Sequence, residues 1–426
     1  MTGRRAAFLA LLVLAAALVA VVAVTTPWSP LRAPRTAADP ARDFTPAQVA
    51  REDAFHRAAR PPAYLSMAAA LAVATLLGLT PAGGRLVAAV ARPAGGGWLA
   101  QVLLGSVALA AAGGLATLPL AAWSETVLRG YGLSTRDWTG WAVDMAKSFA
   151  LGTGLTAVAL AAAYAVIRAA PRTWWAWTAA GGAALAVALS FAFPVLVEPV
   201  FNRFQPMPDG PLRTSLLRLA AEDGVAVRDV LVADASRRTS MLNAYVSGFG
   251  STRRIVVYDT LLRRGSDDQV RLVVAHELGH AKRNDVLVGT LVGALGVAAA
   301  ACGAYLLLTA PGLLRRAGAD GPGDPRSLAL LLFLAAAAGL LGTPANSLVS
   351  RRIEARADVH ALELTRDPGT FAEMQRQLAL ANLADLDPHP LVYGVFATHP
   401  TAPERIAIAR DWARANGLPE PAAAVR

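Results

Sequence analysis

Long apolar stretches alternate along this chain with segments that hold nearly all its charge. Seven stretches stand out, at about Ala6 to Val24, Tyr64 to Leu79, Trp98 to Trp123, Phe149 to Ile167, Trp174 to Val197, Val286 to Leu308 and Leu328 to Leu348. At about 1.5 Å of rise per residue, each is long enough, or nearly so, to cross a hydrocarbon layer about 30 Å thick as a helix. None contains Asp, Glu, Lys, Arg or His. Transporters and pumps usually place an ionisable group at membrane depth, so these spans read as scaffold. Trp98, Trp123, Trp174 and Trp175 fall at the ends of their runs, where an indole prefers the interface. The first run follows Arg4 and Arg5 and resembles a secretory signal. It is nevertheless longer than the roughly 7 to 15 residues of a signal's apolar core, so a retained span is expected.

Two polar blocks, residues 198–285 and 349–426, are separated by the last two spans and must meet if they form one site. In the first block, residues 213–224 suit a helix ended by Gly224, while the β-branched runs near 227–236 and 253–262 suit strands. The second block reads as mostly helical. The organisation predicted is therefore a first span and polar loop (1–62), spans two to five (63–197), a mixed polar segment (198–285), spans six and seven (286–348) and a helical C-terminal segment (349–426). The fold class is mainly α, a polytopic membrane protein with a small α/β domain assembled from the two polar blocks.

Composition agrees with a lipid bilayer as the surroundings: 55% hydrophobic residues, 16% charged residues and a mean hydropathy of +0.42. The net charge of +10 comes from arginines spread over the connecting segments. No single basic stripe with interleaved aromatics is present, which argues against nucleic acid as a partner. By the positive-inside tendency, the Arg-rich segments 25–62 and 198–285 and the C-terminal block are expected on the cytoplasmic side, with the plasma membrane as the expected location. The single cysteine, Cys302, lies within an apolar run and can form neither an internal disulfide nor a thiolate cluster.

The chemistry concentrates at residues 276–280, His-Glu-Leu-Gly-His. On a helix, His276 and His280 share one face and can hold one zinc ion, while Glu277 beside that face is placed to take a proton from a water the ion activates. With 6 histidines and 30 acidic residues in 426, the pattern would arise by chance about 0.6% of the time, so coincidence explains it poorly. A catalytic zinc usually needs a third protein ligand. The downstream candidates are Glu354, Asp358, His360, His389 and His399. Glu354 and Asp358 sit four apart on a predicted helix, so one could bind metal while the other hydrogen-bonds a ligand histidine.

Several motifs together carry a resemblance. HELGH runs into a membrane span, and Glu354 and Asp358 form a later E-x-x-x-D. "NAYVSGFG" (243–250) precedes the histidines, "EPVFNRFQPM" (198–207) follows the fifth span, and "THPTAPERI" (398–406) lies near the end. From about residue 60 to residue 410 the chain resembles the membrane-integral CAAX prenyl protease 1 family, zinc metalloproteases of the gluzincin type related more distantly to the HtpX-type membrane protease. The resemblance implies seven spans around a chamber with the zinc site facing inward. It makes Glu354 the third ligand and Asp358 a partner that orients a ligand histidine. It implies an edge strand at Asn243 and Ala244 that holds an extended peptide, and a late histidine, His399, that donates to the oxyanion. Arg405 is expected to pair with a carboxylate near the site. The activity implied is zinc-dependent hydrolysis of a peptide or protein, membrane-associated or lipidated, with quality control of membrane proteins as the nearest alternative. A zinc-stabilised scaffold would need a fourth protein ligand.

Overall fold

The computed structural model describes residues 2–31 and 36–424. Arg32 and Arg35 of the Arg-rich first connection lie outside them. Among the described residues, seven helices are long and apolar enough to cross a membrane, one for each apolar run. Several extend well past their runs. The second begins at Pro46, where Thr45 and Gln48 form a reciprocal cap, and continues through Pro61 and Pro62 to Leu79. The third runs Trp98–Gly130, so Trp123 lies within the helix and not at its end. The fourth spans Trp138–Ala169. The fifth, Trp174–Ala192, loosens into a π turn over Phe193–Val197 around Pro194, whose ring removes one donor from the helical ladder.

The spans are neighbours in a ring. The second packs on the third, the third on the fourth, the fourth on the fifth and the fifth on the sixth (Asp285–Leu308). The seventh (Leu328–Thr365) closes the ring between sixth and second, and the first (Thr2–Thr25) lies against the sixth.

Between the fifth and sixth spans the chain builds a four-stranded sheet of β1 (Phe204–Pro206), β2 (Asp229–Ala233), β3 (Ala244–Ser247) and β4 (Arg254–Tyr258), ordered β1-β2-β4-β3. The β2–β4 pair is parallel and the other two are antiparallel. β2 and β4 fall within the runs predicted as strands, whereas the three-residue β1 has no alternating pattern to announce it. The predicted helix at 213–224 is Pro211–Glu222, and Gly224 ends it at φ 72°, a left-handed position that costs glycine nothing.

The motif helix, Asp267–Arg283, starts at a reciprocal Ser266–Gln269 cap. Leu272, Val274 and Leu278 along it are buried beside Leu216 and Ile255, Leu362 and Phe371. Each fully buried Leu contributes about 1.5–3 kcal/mol, so this face anchors the helix between the sheet and the C-terminal helices. The helix does not run unbroken into the sixth span. Asn284 takes a left-handed conformation at φ 55°, which Asn tolerates better than most residues, and its side-chain oxygen accepts from Arg253 at 2.7 Å. The span restarts at Asp285.

Candidate metal centre

The seventh span carries its helix beyond the apolar run into the polar domain, which brings Glu354 and Asp358 against the motif helix. Close approach depends on Gly279, because a Cβ there would lie 3.0 Å from the His360 ring. His360 is held in turn by Asp223, at 2.9 Å, and Asp223 also accepts from Lys282 at 2.6 Å. His360 therefore braces the two helices. His389 caps the short helix Pro390–Phe396 through Leu391 N–H.

Three ligand residues converge. His276 Nε2 and His280 Nε2 lie 3.2 Å apart, Glu354 Oε2 is 3.2 Å from the first, and Glu354 Oε1 is 3.5 Å from the second. Donors at about 2.0–2.1 Å from one tetrahedral ion stand about 3.3–3.4 Å from each other, so this triangle has the dimensions that zinc requires. Glu354 Oε2 is buried with no hydrogen bond, a costly arrangement that a cation would satisfy. Burial disfavours a charged His276 ring, yet Asp358 and Glu354 outweigh it and push the ring up to about 10. The pocket is thus built to receive positive charge, and the donor set of two imidazoles and a carboxylate suits zinc. Among the described residues, these three are the cluster with metal-binding geometry.

Each histidine is steadied through its other nitrogen. His276 Nδ1 lies 3.0 Å from Asp358 Oδ1, and Asp358, wholly buried, is gripped through both oxygens by Arg405. The expected pairing of Arg405 with a carboxylate is this one. His280 Nδ1 lies 2.9 Å from Asp285 Oδ2, and Arg356 binds the other oxygen of Asp285. Sequence reasoning missed Asp285. Glu277 points into the same cleft; burial pushes its carboxyl above the usual range, although His276 and His280 pull the other way. His399 sits before the Thr401 cap of the helix Ala402–Ala415, open to solvent, with Nε2 3.4 Å from Glu354.

The centre lies in a cleft of about 700 Å³ that Asn243, Ala244 and Val246 also line. In an antiparallel pair, alternate residues turn their main-chain groups toward the partner. Tyr258 N–H donates to Asn243 C=O at 3.0 Å, with Ala244 opposite Val257 and Val246 opposite Ile255. Asn243, Tyr245 and Ser247 therefore serve β4, while the main-chain groups of Ala244 and Val246 face away from it along the free edge. Asn243 offers the cleft its side chain.

Comparison with known proteins follows the same division of the chain. Residues 206–413 match peptidase family M48, and residues 62–203 match the CAAX prenyl protease N-terminal family of five membrane helices. A Bacillus subtilis protein described as uncharacterized metalloprotease YhfN is 32% identical over 297 residues, 68% of this chain and 69% of that protein. A rice CAAX prenyl protease 1 homolog is 32% identical over 232 residues, about half of each protein at 54%. The crystal structure of S. mikatae Ste24p is 22% identical, covers 95% of this chain and 98% of its own, and superposes with a TM-score of 0.78. The two share a fold.

Proposed function

The chain belongs to peptidase family M48 and is an integral membrane metalloprotease, and we propose that it holds one zinc ion with His276, His280 and Glu354 and hydrolyses peptide bonds beside it. The observation that carries this reading is the ligand triangle with Glu277 alongside, under a free strand edge in one cleft. When bound, zinc supplies a Lewis acid and lowers the pKa of a coordinated water to about 7. The chain's own residues do the rest. Ala244 and Val246 hold an extended peptide by main-chain hydrogen bonds, which serve any sequence. Glu277 takes the proton from the attacking water as its oxygen bonds to the carbonyl carbon, then passes that proton to the amine as the C–N bond breaks. His399 donates toward the carbonyl oxygen as charge develops there. Asp358 and Asp285 hold the two ligand rings in the tautomer that leaves Nε2 free.

The relatives' names, together with a cleft that reaches the start of the sixth span at Val286 and Leu287, support a substrate presented at the bilayer, with lipidated C-terminal tails as the first class to test. The arginine distribution supports a catalytic segment on the cytoplasmic face of the plasma membrane. Reporter fusions after residues 60 and 420 should both read cytoplasmic, and an external signal from either reverses or breaks that topology.

Glu277→Gln keeps shape and hydrogen bonding but loses basicity. It should retain zinc while cleavage of a quenched fluorescent peptide falls by a factor of at least about 100, the lower bound for loss of a general base. Cleavage at the parental rate would remove the general-base assignment. Mass spectrometry of what this variant retains from its native host should find lipidated tails, whereas assorted damaged membrane proteins would move the substrate to quality control.

A further inference from the structure

The free edge of β3 has a definite end. Counting back by twos from Val246 and Ala244, the next residue to face away from β4 is Leu242, and its main chain is already occupied. Asn382 Oδ1 accepts from Leu242 N–H at 2.8 Å, and Asn382 Nδ2 donates to Leu242 C=O at 3.1 Å. A carboxamide presents a donor and an acceptor side by side. This one saturates both main-chain groups of a single edge residue, as a neighbouring strand would.

The block is firmly mounted. Asn382 is the last residue of the helix Pro368–Asn382, and Leu383 behind it holds a left-handed conformation at φ 50°. That conformation is unfavourable for a bulky residue and persists only where the surroundings impose it. Here they do. Leu383 is buried against Phe55 and Leu133, and its carbonyl lies 2.9 Å from His56 Nε2 on the second span. The chain just before Leu242 is covered too: Ser240 N–H donates to Leu133 C=O at 3.1 Å, and the Ser240 hydroxyl donates to Gly132 C=O at 2.7 Å. Asn382, Leu242, Ala244, Val246 and Glu277 all line the one cleft.

We propose that Asn382 is a specificity-determining residue that ends the peptide-binding edge at Leu242. A bound peptide then pairs with Ala244 and Val246 and stops, or turns away, where the carboxamide stands. The enzyme accordingly counts residues on one side of the scissile bond and is permissive on the other. This inference rests on the protease reading above and adds a length rule to it.

The test uses the full-length protein in detergent and two series of peptides with blocked ends, built from one parent peptide that the wild type cleaves. One series is extended at the N-terminus and the other at the C-terminus. In the wild type, kcat/KM should fall with extension in one series, mainly through KM, and stay level in the other. Asn382→Ala frees both groups of Leu242, so the ratio of extended to parent kcat/KM in the restricted series should rise about tenfold, the scale of two modest hydrogen bonds. Asn382→Asp keeps the acceptor but loses the donor and should fall between; it also decides the matter if the alanine variant does not fold. Binding of fluorescent peptides by the Glu277→Gln form, with and without the second substitution, should show the same ladder without turnover. A level profile in both wild-type series overturns the proposal. So does an unchanged length profile in Asn382 variants that keep wild-type zinc content and thermal stability. Failure of the wild type to cleave any peptide would instead overturn the protease reading.

Discussion

His276 and His280 are four residues apart on one helix and are proposed to do the same work, yet they are supported from different parts of the molecule. His276 rests on Asp358, fully buried within the polar domain and fixed through both oxygens by Arg405. His280 rests on Asp285, whose side chain is 11% exposed and which is the first residue of the sixth span. Its arginine, Arg356, is 23% exposed. One support is sealed inside a packed domain, and the other stands at the seam where the domain becomes a membrane helix. Because an unpaired charge costs far more when it cannot reach water, the two arms should fail unequally even though their hydrogen bonds are alike in length.

The largest effect should come from removing what the arms share. Glu354→Ala takes away the carboxylate that approaches both histidines and should abolish tight zinc retention, measured as metal content of the purified protein. Full occupancy in that variant would leave the two arms with no common ligand. Next in size is Asp358→Ala. Chelator competition should find zinc affinity lowered toward the upper end of about 10- to 100-fold, and thermal unfolding should show a loss of about 3–5 kcal/mol, because Arg405 loses the buried carboxylate that it holds through both oxygens. The smallest effect is expected for Asp285→Ala, with affinity nearer the tenfold end and a stability loss of about 1 kcal/mol or less, since Arg356 can turn to solvent. A larger penalty for Asp285 than for Asp358 would reverse the ranking by burial.

How far each arm could be read beforehand follows from the physics of its signal. The seven apolar runs were legible because a bilayer demands a length of unbroken hydrophobicity that few other settings do. HELGH was legible because two histidines on one helical face with a glutamate beside them is a rare pattern. Asp358 became a candidate through its four-residue spacing from Glu354, which left open which of the two would bind metal until the resemblance assigned their roles, and Arg405 through its place in the late motif. Asp285 had no such signature. A lone carboxylate at the start of a span looks like an ordinary helix-start residue, and the kink at Asn284 that turns it toward His280 depends on a left-handed backbone that many sequences could equally leave helical. The reach of the second, third and fourth helices beyond their apolar runs was hidden as well, since those turns carry charged and polar residues that end the hydrophobic signal. Asn382 is the extreme case, because its significance lies entirely in a contact 140 residues distant.

The joint at Asn284 also bears on whether this catalyst can be separated from its membrane. A soluble fragment ending at the motif helix would lose Asp285, the anchor of one ligand. It would also lose Glu354 and Asp358, which enter on a helix that first traverses the bilayer. The hydrolytic apparatus therefore has no dividing line along which it could be excised, and lipid, or a detergent that mimics it, is a structural ingredient of the active enzyme.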